Sequence, residues 1–573
     1  MTIRKLIGKL WHCSAVWRLP ALVVLVFHGL AAGQDFNFTT NTGSVTITRY
    51  TGPGGAVSIP PVINGLTVTS IGDSAFGFSY NVTNITIPTT ITNIGQIAFI
   101  SCTGLTNILI PASVIGIGPL SFKNCRNLAA ITVDTNDPAF SGADGVLFDK
   151  NQATLVQYPQ GKTSGSYAVP GSVQTIGGGA FFACTALTNI ALPAALMDIE
   201  GAAFYGCTNL AGVAIPNDLT NVGTQAFLNC ESLNNVVLPD SVTNLGLQAF
   251  FNCEGLTNVT VGNGVAGIGD DAFANCFNLA SVTMGGGVTT IGNFAFEYCT
   301  ALTSLTLGGN VTNLGDGAFS YCFDLTGITL PKGLTTIGSQ AFLYCSSLPA
   351  LNLPASMTNF GDRVCEFCLS LAAITVDPGN PAFASVDGVL FDQRNARLVQ
   401  YPINRTQAGY TVPEGTTSFA DTAFVSAYYL TSVTIPASVT NLETLAFYNC
   451  PEVTVFFFKG NPPGLGNNVF DLDAAATVYY LAGTTNWGST YGGLPAVLWK
   501  PQIQTSPGAL AFQPFGFTIT AAPNTPLVVE ASTNLANNSW MVVQTAVLTN
   551  GSFSFGDPQW TNFPGRYYRI RSP

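Results

Sequence analysis

Leu105-Thr-Asn-Ile-Leu-Ile-Pro111, followed by Val114, Ile117-Gly118, Ser121-Phe122 and Cys125, is the stretch that decides the fold. The run Leu-x-x-Ile-x-Ile alternates, so it reads as a short strand with one apolar face. Proline ends it, because proline cannot donate to a ladder. Ile-Gly marks a sharp backbone turn that needs a residue without Cβ. From that glycine to the cysteine, apolar residues stand three or four apart, which fits a turn of α- or 3₁₀-helix. The same order returns from Leu302 to Cys322.

The recurrence is regular. Marker phenylalanines stand at 76, 99 and 122, at 181, 204, 227, 250, 273, 296, 319 and 342, and at 424, 447 and 470. Within each run the step is 23 residues; position 365 keeps the phase but holds cysteine. The two larger steps, 122 to 181 and 365 to 424, are each 59 residues, so one insert of 36 occurs twice. A unit this short has one inward stripe that it cannot bury alone. Stacking the units buries it, which predicts a repeat solenoid: a parallel strand ladder with short helical or 3₁₀ turns, followed by a small all-β C-terminal sandwich. With strands about 4.8 Å apart, some 16 coils make a rod or arc on the order of 80 Å long.

Composition agrees. Only 9% of the 573 residues are charged, 47% are apolar and 60 are glycine. Such a chain has too many core-forming side chains to be disordered, and it lacks the basic excess of a nucleic-acid binder. At the N-terminus, Arg4, Lys5, Lys9 and Arg18 precede the apolar run Leu19–Leu30 and the small residues Ala31, Ala32 and Gly33. That order reads as a signal peptide over 1–33. The remaining chain carries 15 basic and 30 acidic residues, a net charge of −15, and no histidine, since His12 and His28 fall in the leader. The expectation is a secreted or cell-surface bacterial protein without a membrane span after cleavage, monomeric, and with no affinity for nucleic acid.

Leu430-Thr-Ser-Val-Thr-Ile-Pro436 and Ile291-Gly-Asn-Phe-Ala-Phe-Glu-Tyr-Cys299 carry a known pattern. The unit resembles the BspA-type leucine-rich repeat, found in exported and surface proteins of bacteria and some protists. The resemblance covers roughly residues 44–500 and implies an interaction protein. Glu200, Ala420 and Glu443 depart from it at the turn glycine, and Cys365 departs at the phenylalanine. The expected division is a cap and first coil over 34–70, the solenoid over 71–458 with inserts near 134–169 and 377–412, a C-terminal cap over 459–500, a linker over 501–508, and a β-sandwich over 509–573. That last module resembles C-terminal β-modules of exported proteins of environmental bacteria, through Val529-Glu-Ala-Ser-Thr-Asn-Leu535 and Arg566-Tyr-Tyr-Arg-Ile-Arg571. Arg566, Arg569 and Arg571 read as a basic edge, most simply a solvated strand face.

Twelve of the 14 cysteines stand three residues after the marker phase. A residue at one fixed point of every coil forms a ladder at about 4.8 Å, wider than the roughly 3.5–4.5 Å between the Cβ atoms of a disulfide. They are expected as free thiols packed as small apolar side chains. Cys365 and Cys368 form a Cys-x-x-Cys, read here as a ladder residue and a shrunken phenylalanine rather than a redox pair. Each insert carries Asp-Gly-Val-Leu-Phe-Asp, at 144–149 and 387–392. The aspartates fit turns better than a calcium loop, whose ligand count and glycine position they lack. No metal and no cofactor is expected. Without histidine there is no Ser-His-Asp or Cys-His pair.

The candidate binding face comes from the strands. The residue between the two inward apolars faces outward, and it is threonine at Thr86, Thr132, Thr260, Thr283, Thr306, Thr329, Thr375 and Thr434. Such a face is neutral and hydroxyl-rich, although threonine ladders also simply suit strands. The leading expectation is therefore a non-enzymatic exported protein that adheres to an extracellular protein or polysaccharide. The alternatives are a structural envelope or matrix protein and, third, a carbohydrate-active enzyme with two acids facing a cleft.

Overall fold

The computed structural model describes residues 35–571 apart from 395, 474, 505–514, 522–524 and 538. The expected signal peptide over 1–33 and residues 505–508 of the expected linker lie outside the described residues.

The chain winds as a solenoid in which the strands of successive regular coils pair in parallel with counterparts 23 residues away. Asn258–Val261 sits parallel between Asn235–Val237 and Ser281–Met284, with Val259 opposite Val282 and Thr260 opposite Thr283. A second, two-residue strand in each coil forms its own parallel ladder, as Gly267–Ile268 does with Thr290–Ile291. Between the two ladders lies the core. In the coil of Phe273, the side chains of Val259, Val261, Val265, Ile268, Ala272, Phe273, Cys276 and Leu279 are all buried. The marker rings stack on one another along the axis: Phe227 on Phe250 at 5.0 Å, Phe250 on Phe273 at 5.3 Å and Phe273 on Phe296 at 5.3 Å, within 10° of parallel.

The segment from glycine to cysteine is not helical among the described residues. It is a chain of single i→i+3 turns: Ala274 N–H donates to Asp271, Cys276 to Phe273 and Leu279 to Cys276. Only the 3₁₀-like hydrogen bond of the expected helix survives. The alternate amides are taken by the next coil, as Asp271 donates to Asn293, Phe273 to Ala295 and Asn275 to Glu297. Two residues per coil are left-handed, here Asp271 at φ 53° and Asn275 at φ 60°, and a left-handed residue every few positions stops an α-helix from propagating.

The repeat glycine is required by close approach rather than by its own φ. A Cβ on Gly315 would lie 2.6 Å from the backbone nitrogen of Asn293 in the preceding coil. At two of the departures the substituted side chain is put to use: Glu200 accepts from Gly178 N–H at 2.8 Å, and Glu443 from Asp421 N–H at 3.2 Å.

Each insert is a three-stranded meander. Phe140–Ala143 and Val146–Asp149 form a hairpin, and Val146–Asp149 then pairs antiparallel with Thr154–Gln157. Its two-residue tip is Asp144-Gly145, both left-handed, and Asp387-Gly388 repeats it. That is the turn that Asp-Gly favours. Asp149 and Asp392 cap the backbone amides of Thr154 and Arg394 at 2.9 Å each. The inserts rejoin the phase, because Tyr158 and Tyr401 stack on Phe181 and Phe424 at 5.0 Å.

The start is a hairpin, Phe36–Asn41 against Ser44–Tyr50. At the far end, Val455–Phe458, Thr477–Tyr480 and Leu494–Leu498 continue the strand ladder. The C-terminal module holds two antiparallel three-stranded sheets. Its first strand, Gln502–Gln504, pairs with Thr518–Thr520 and lies inside the stretch expected to be linker. Arg569 and Arg571 lie exposed on a strand, as a solvated face requires, and share Glu530 at 2.7 and 2.6 Å; Arg566 is instead largely buried and holds Asp557 at 2.7 Å.

Candidate functional site

Seven of the eight predicted threonines are exposed, each between inward-facing apolar residues of its strand. Thr260, Thr283, Thr306 and Thr329 are successive partners in one sheet, so their side chains form an unbroken row. Neighbouring threonines differ in how their hydroxyls are used. Thr257 donates to the carbonyl of Asn234 at 3.0 Å, Thr289 to that of Ala266 at 2.9 Å and Thr326 to that of Thr303 at 2.8 Å. Among the described residues, the hydroxyls in the row of four have no partner within the chain. Beside them Asn258 bridges Asn235 and Ser281, at 3.1 and 2.5 Å.

The other predicted positions are less uniform. Thr132 donates to the carbonyl of Ile108 at 3.2 Å, and Thr375 to Asn352 at 2.5 Å. Leu109, exposed and opposite Thr132, interrupts the row between Thr86 and Thr132. Thr434 does not belong to an open face. It is 5% exposed, because its register partner is Phe457 and the outward side of these last coils is apolar. There Phe457 meets Trp499, Trp499 Nε1 donates to the carbonyl of Pro526 at 2.9 Å, and Tyr479 hydrogen-bonds Thr525. The C-terminal module thus rests on this end of the strand face.

All 13 described cysteines are buried free thiols. Burial pushes the thiols of Cys207 and Cys276 up to about 12. Cys368 takes the ladder position, its thiol on the carbonyl of Phe342 at 3.1 Å, and Cys365 sits buried in the ring phase. Among the described residues, no three His, Cys, Asp or Glu side chains gather as a metal site. A cleft of about 180 Å³ opens at the second insert, lined by Phe360, Asp362, Arg363, Asp392, Arg394 and Arg397 among others. Its charges are largely paired: Arg394 holds Asp392 at 3.2 Å, Arg363 holds Glu366 at 2.5 Å, and Arg397 holds Glu443.

A second surface feature was not anticipated from the sequence. On the turn side, Tyr298, Tyr321, Tyr344 and Phe367 stack face to face, with ring centroids 4.3, 5.0 and 4.6 Å apart. They share one phase of the repeat, and that periodicity was the available signal.

A family model described as the BspA type leucine-rich repeat region, in six copies, matches residues 58–146, 160–280, 266–386 and 406–489, more than half of the chain. No curated protein matches the chain. Among solved structures it is similar to a leucine-rich repeat protein from Eubacterium ventriosum, at 24% identity and a TM-score of 0.40, covering 49% of this chain and 91% of that one. It is similar to another from Bacteroides ovatus, at 26% identity and a TM-score of 0.34, covering 60% and 97%. A third is the pneumococcal vaccine antigen PcpA, at 18% identity and a TM-score of 0.32, covering 60% and 84%.

Proposed function

As the chain belongs to the BspA-type leucine-rich repeat family, we propose that it is an exported, non-enzymatic interaction protein that binds an extracellular protein or polysaccharide through the solenoid surface. The observation that carries this reading is the row Thr260, Thr283, Thr306 and Thr329, exposed and without hydrogen-bond partners among the described residues. A flat row of free hydroxyls about 4.8 Å apart offers an extended ligand one hydrogen-bonding group per coil. Part of the proposal is the domain division already given: a cap and first coil, the solenoid, a closing cap and a C-terminal β-module.

Chemistry has little to work with here. The carboxylates Asp392 and Glu443 beside the cleft are engaged by arginines, which suits structure better than proton transfer. The alternative, a structural spacer in an envelope or matrix, is separated by a binding screen. The full chain is passed over immobilised matrix proteins and polysaccharides, beside a Thr283→Arg/Thr306→Arg variant. Saturable binding that the variant loses supports the strand face. No saturable binding to any surface favours the spacer.

A further inference from the structure

The four stacked aromatics on the turn side occupy a position where side chains of their kind rarely sit. Tyr298, Tyr321, Tyr344 and Phe367 have φ of 57°, 60°, 58° and 57°. In five other coils the same phase holds asparagine, at 124, 229, 252, 275 and 449, and elsewhere Phe78, Ser101, Ala183, Ser426 and Leu472; asparagine is the residue that tolerates left-handed backbone after glycine. Four consecutive coils therefore replace the comfortable residue with a bulky one. The rings are not core: all four are partly exposed, with Phe323 and Leu369 exposed beside them. Phe323 meets Tyr321 edge-on at 6.1 Å. Left-handed residues recur in every coil, so what sets this patch apart is the unbroken run of four stacked, partly exposed aromatics.

We propose that this column docks a basic polypeptide segment of a partner protein. The claim rests on the reading of the chain as an interaction protein, but on a different surface from the threonine row. The choice of partner follows from two observations. Each inner ring has both faces covered by its neighbours at 4.3–5.0 Å, so a sugar ring cannot lie on it. What remains is a row of ring edges and hydroxyls with apolar flanks, the kind of tyrosine-rich surface that anchors protein partners. The charge around it is acidic. Residues 293–370 hold Glu297, Asp316, Asp324 and Asp362 against Lys332, once Arg363 and the buried Glu366 are set aside as a pair. A segment carrying lysine or arginine among apolar residues complements both features.

The test is to pan a random 16-residue peptide library on the full chain and to measure the enriched peptides by fluorescence anisotropy. The expected peptides are basic and carry aromatic or aliphatic residues. Replacing all four aromatics by the asparagine of the other coils (Y298N, Y321N, Y344N and F367N) should weaken them at least tenfold without lowering the melting temperature appreciably. Asp324→Lys/Glu297→Lys leaves the rings in place and should also weaken them, so the proposal stays testable if the fourfold variant folds poorly. Enrichment of acidic or neutral peptides, undiminished binding by both variants, or capture of neutral oligosaccharides at the column would overturn it. Peptide binding lost in Thr283→Arg/Thr306→Arg but kept in the aromatic variant would also overturn it, while leaving the strand-face reading standing.

Discussion

The thiol of Cys276 donates to the carbonyl oxygen of Phe250 in the preceding coil, Sγ to O 3.3 Å. The same bond joins Cys253 to Phe227, Cys299 to Phe273 and Cys322 to Phe296, at 3.2–3.3 Å. Cysteine is thus more than a small filler at this position. It gives a second hydrogen bond to a buried carbonyl whose other partner is the amide three residues on, as Cys253 N–H is for Phe250 at 3.4 Å, and so fills both acceptor sites of that oxygen. A disulfide between neighbouring coils would consume that donor, so the ladder and the bridge exclude each other.

Thiol titration after denaturation without reductant should therefore find all 13 cysteines of residues 34–573 free. In the native protein they should react negligibly with iodoacetamide at pH 8, because all 13 are buried away from the reagent, and at Cys253 and Cys276 burial also raises the thiol well above its ordinary 9.0 and so suppresses the reactive thiolate. Recovery of fewer than half of them as free thiols would contradict the ladder.

Alkaline pH should unfold the solenoid gradually. The folded-state pKa values of Cys207 and Cys276 lie at about 12, and burial raises Tyr158 to about 12 as well. Acidic groups raised in this way keep their full contribution below the unfolded value, near 9 for the thiols. They lose it as pH climbs from there through about 12, where the unfolded state releases protons that the folded state holds. The urea midpoint should fall steadily above pH 9 and stay flat from pH 6 to 8 as far as these groups are concerned. A midpoint unchanged at pH 11 would show that they do not titrate differently on unfolding.

Phe273→Ala should cost roughly 3–5 kcal/mol, since it removes a fully buried ring from between Phe250 and Phe296. In a solenoid that loss falls on nearest-neighbour interfaces. The denaturation curve should split into two transitions, because the arrays on either side no longer unfold as one. Phe470, the last marker ring in the phase, should affect the middle coils less when replaced. A single transition shifted by less than about 1 kcal/mol would show that the ring column is not the main tie between coils.

The phase of Phe273 and Cys276 was legible because one residue type recurs at one spacing, and burial follows from that alone. The conformation of the turn was not. Left-handed backbone occurs at Leu120, Phe294 and Arg363, none of which favours it. What enforces it is hydrogen bonding to the adjacent coil, which a single unit does not display. The outward threonines were legible through strand alternation, yet Thr434 was misjudged, because its cover comes from Phe457 and from a module attached later in the chain. Likewise the pairing of Arg569 and Arg571 with Glu530 depends on antiparallel register, and local charge counting could not reveal it.

The weakest point of the array should lie near residues 360–400. The ring stack runs from Tyr158 to Phe342, stops where Cys365 replaces phenylalanine, and resumes at Tyr401. The buried core divides at the same insert, with Leu390 packed in the central cluster and Val389 in the next. The hairpin tip around Asp387 stands exposed. Trypsin would give a biased answer, because Arg363, Arg394, Arg397 and Arg405 crowd this region while the 204–342 array holds only Lys332. A protease of broad specificity removes that bias, and its rate reports how often each segment opens. Brief digestion of the native chain should first cut within 360–400, leaving the 204–342 array intact. A first cut inside that array would place the weak interface elsewhere and would mean that the missing ring at Cys365 is compensated by the packing of Met357 and Val364 around it.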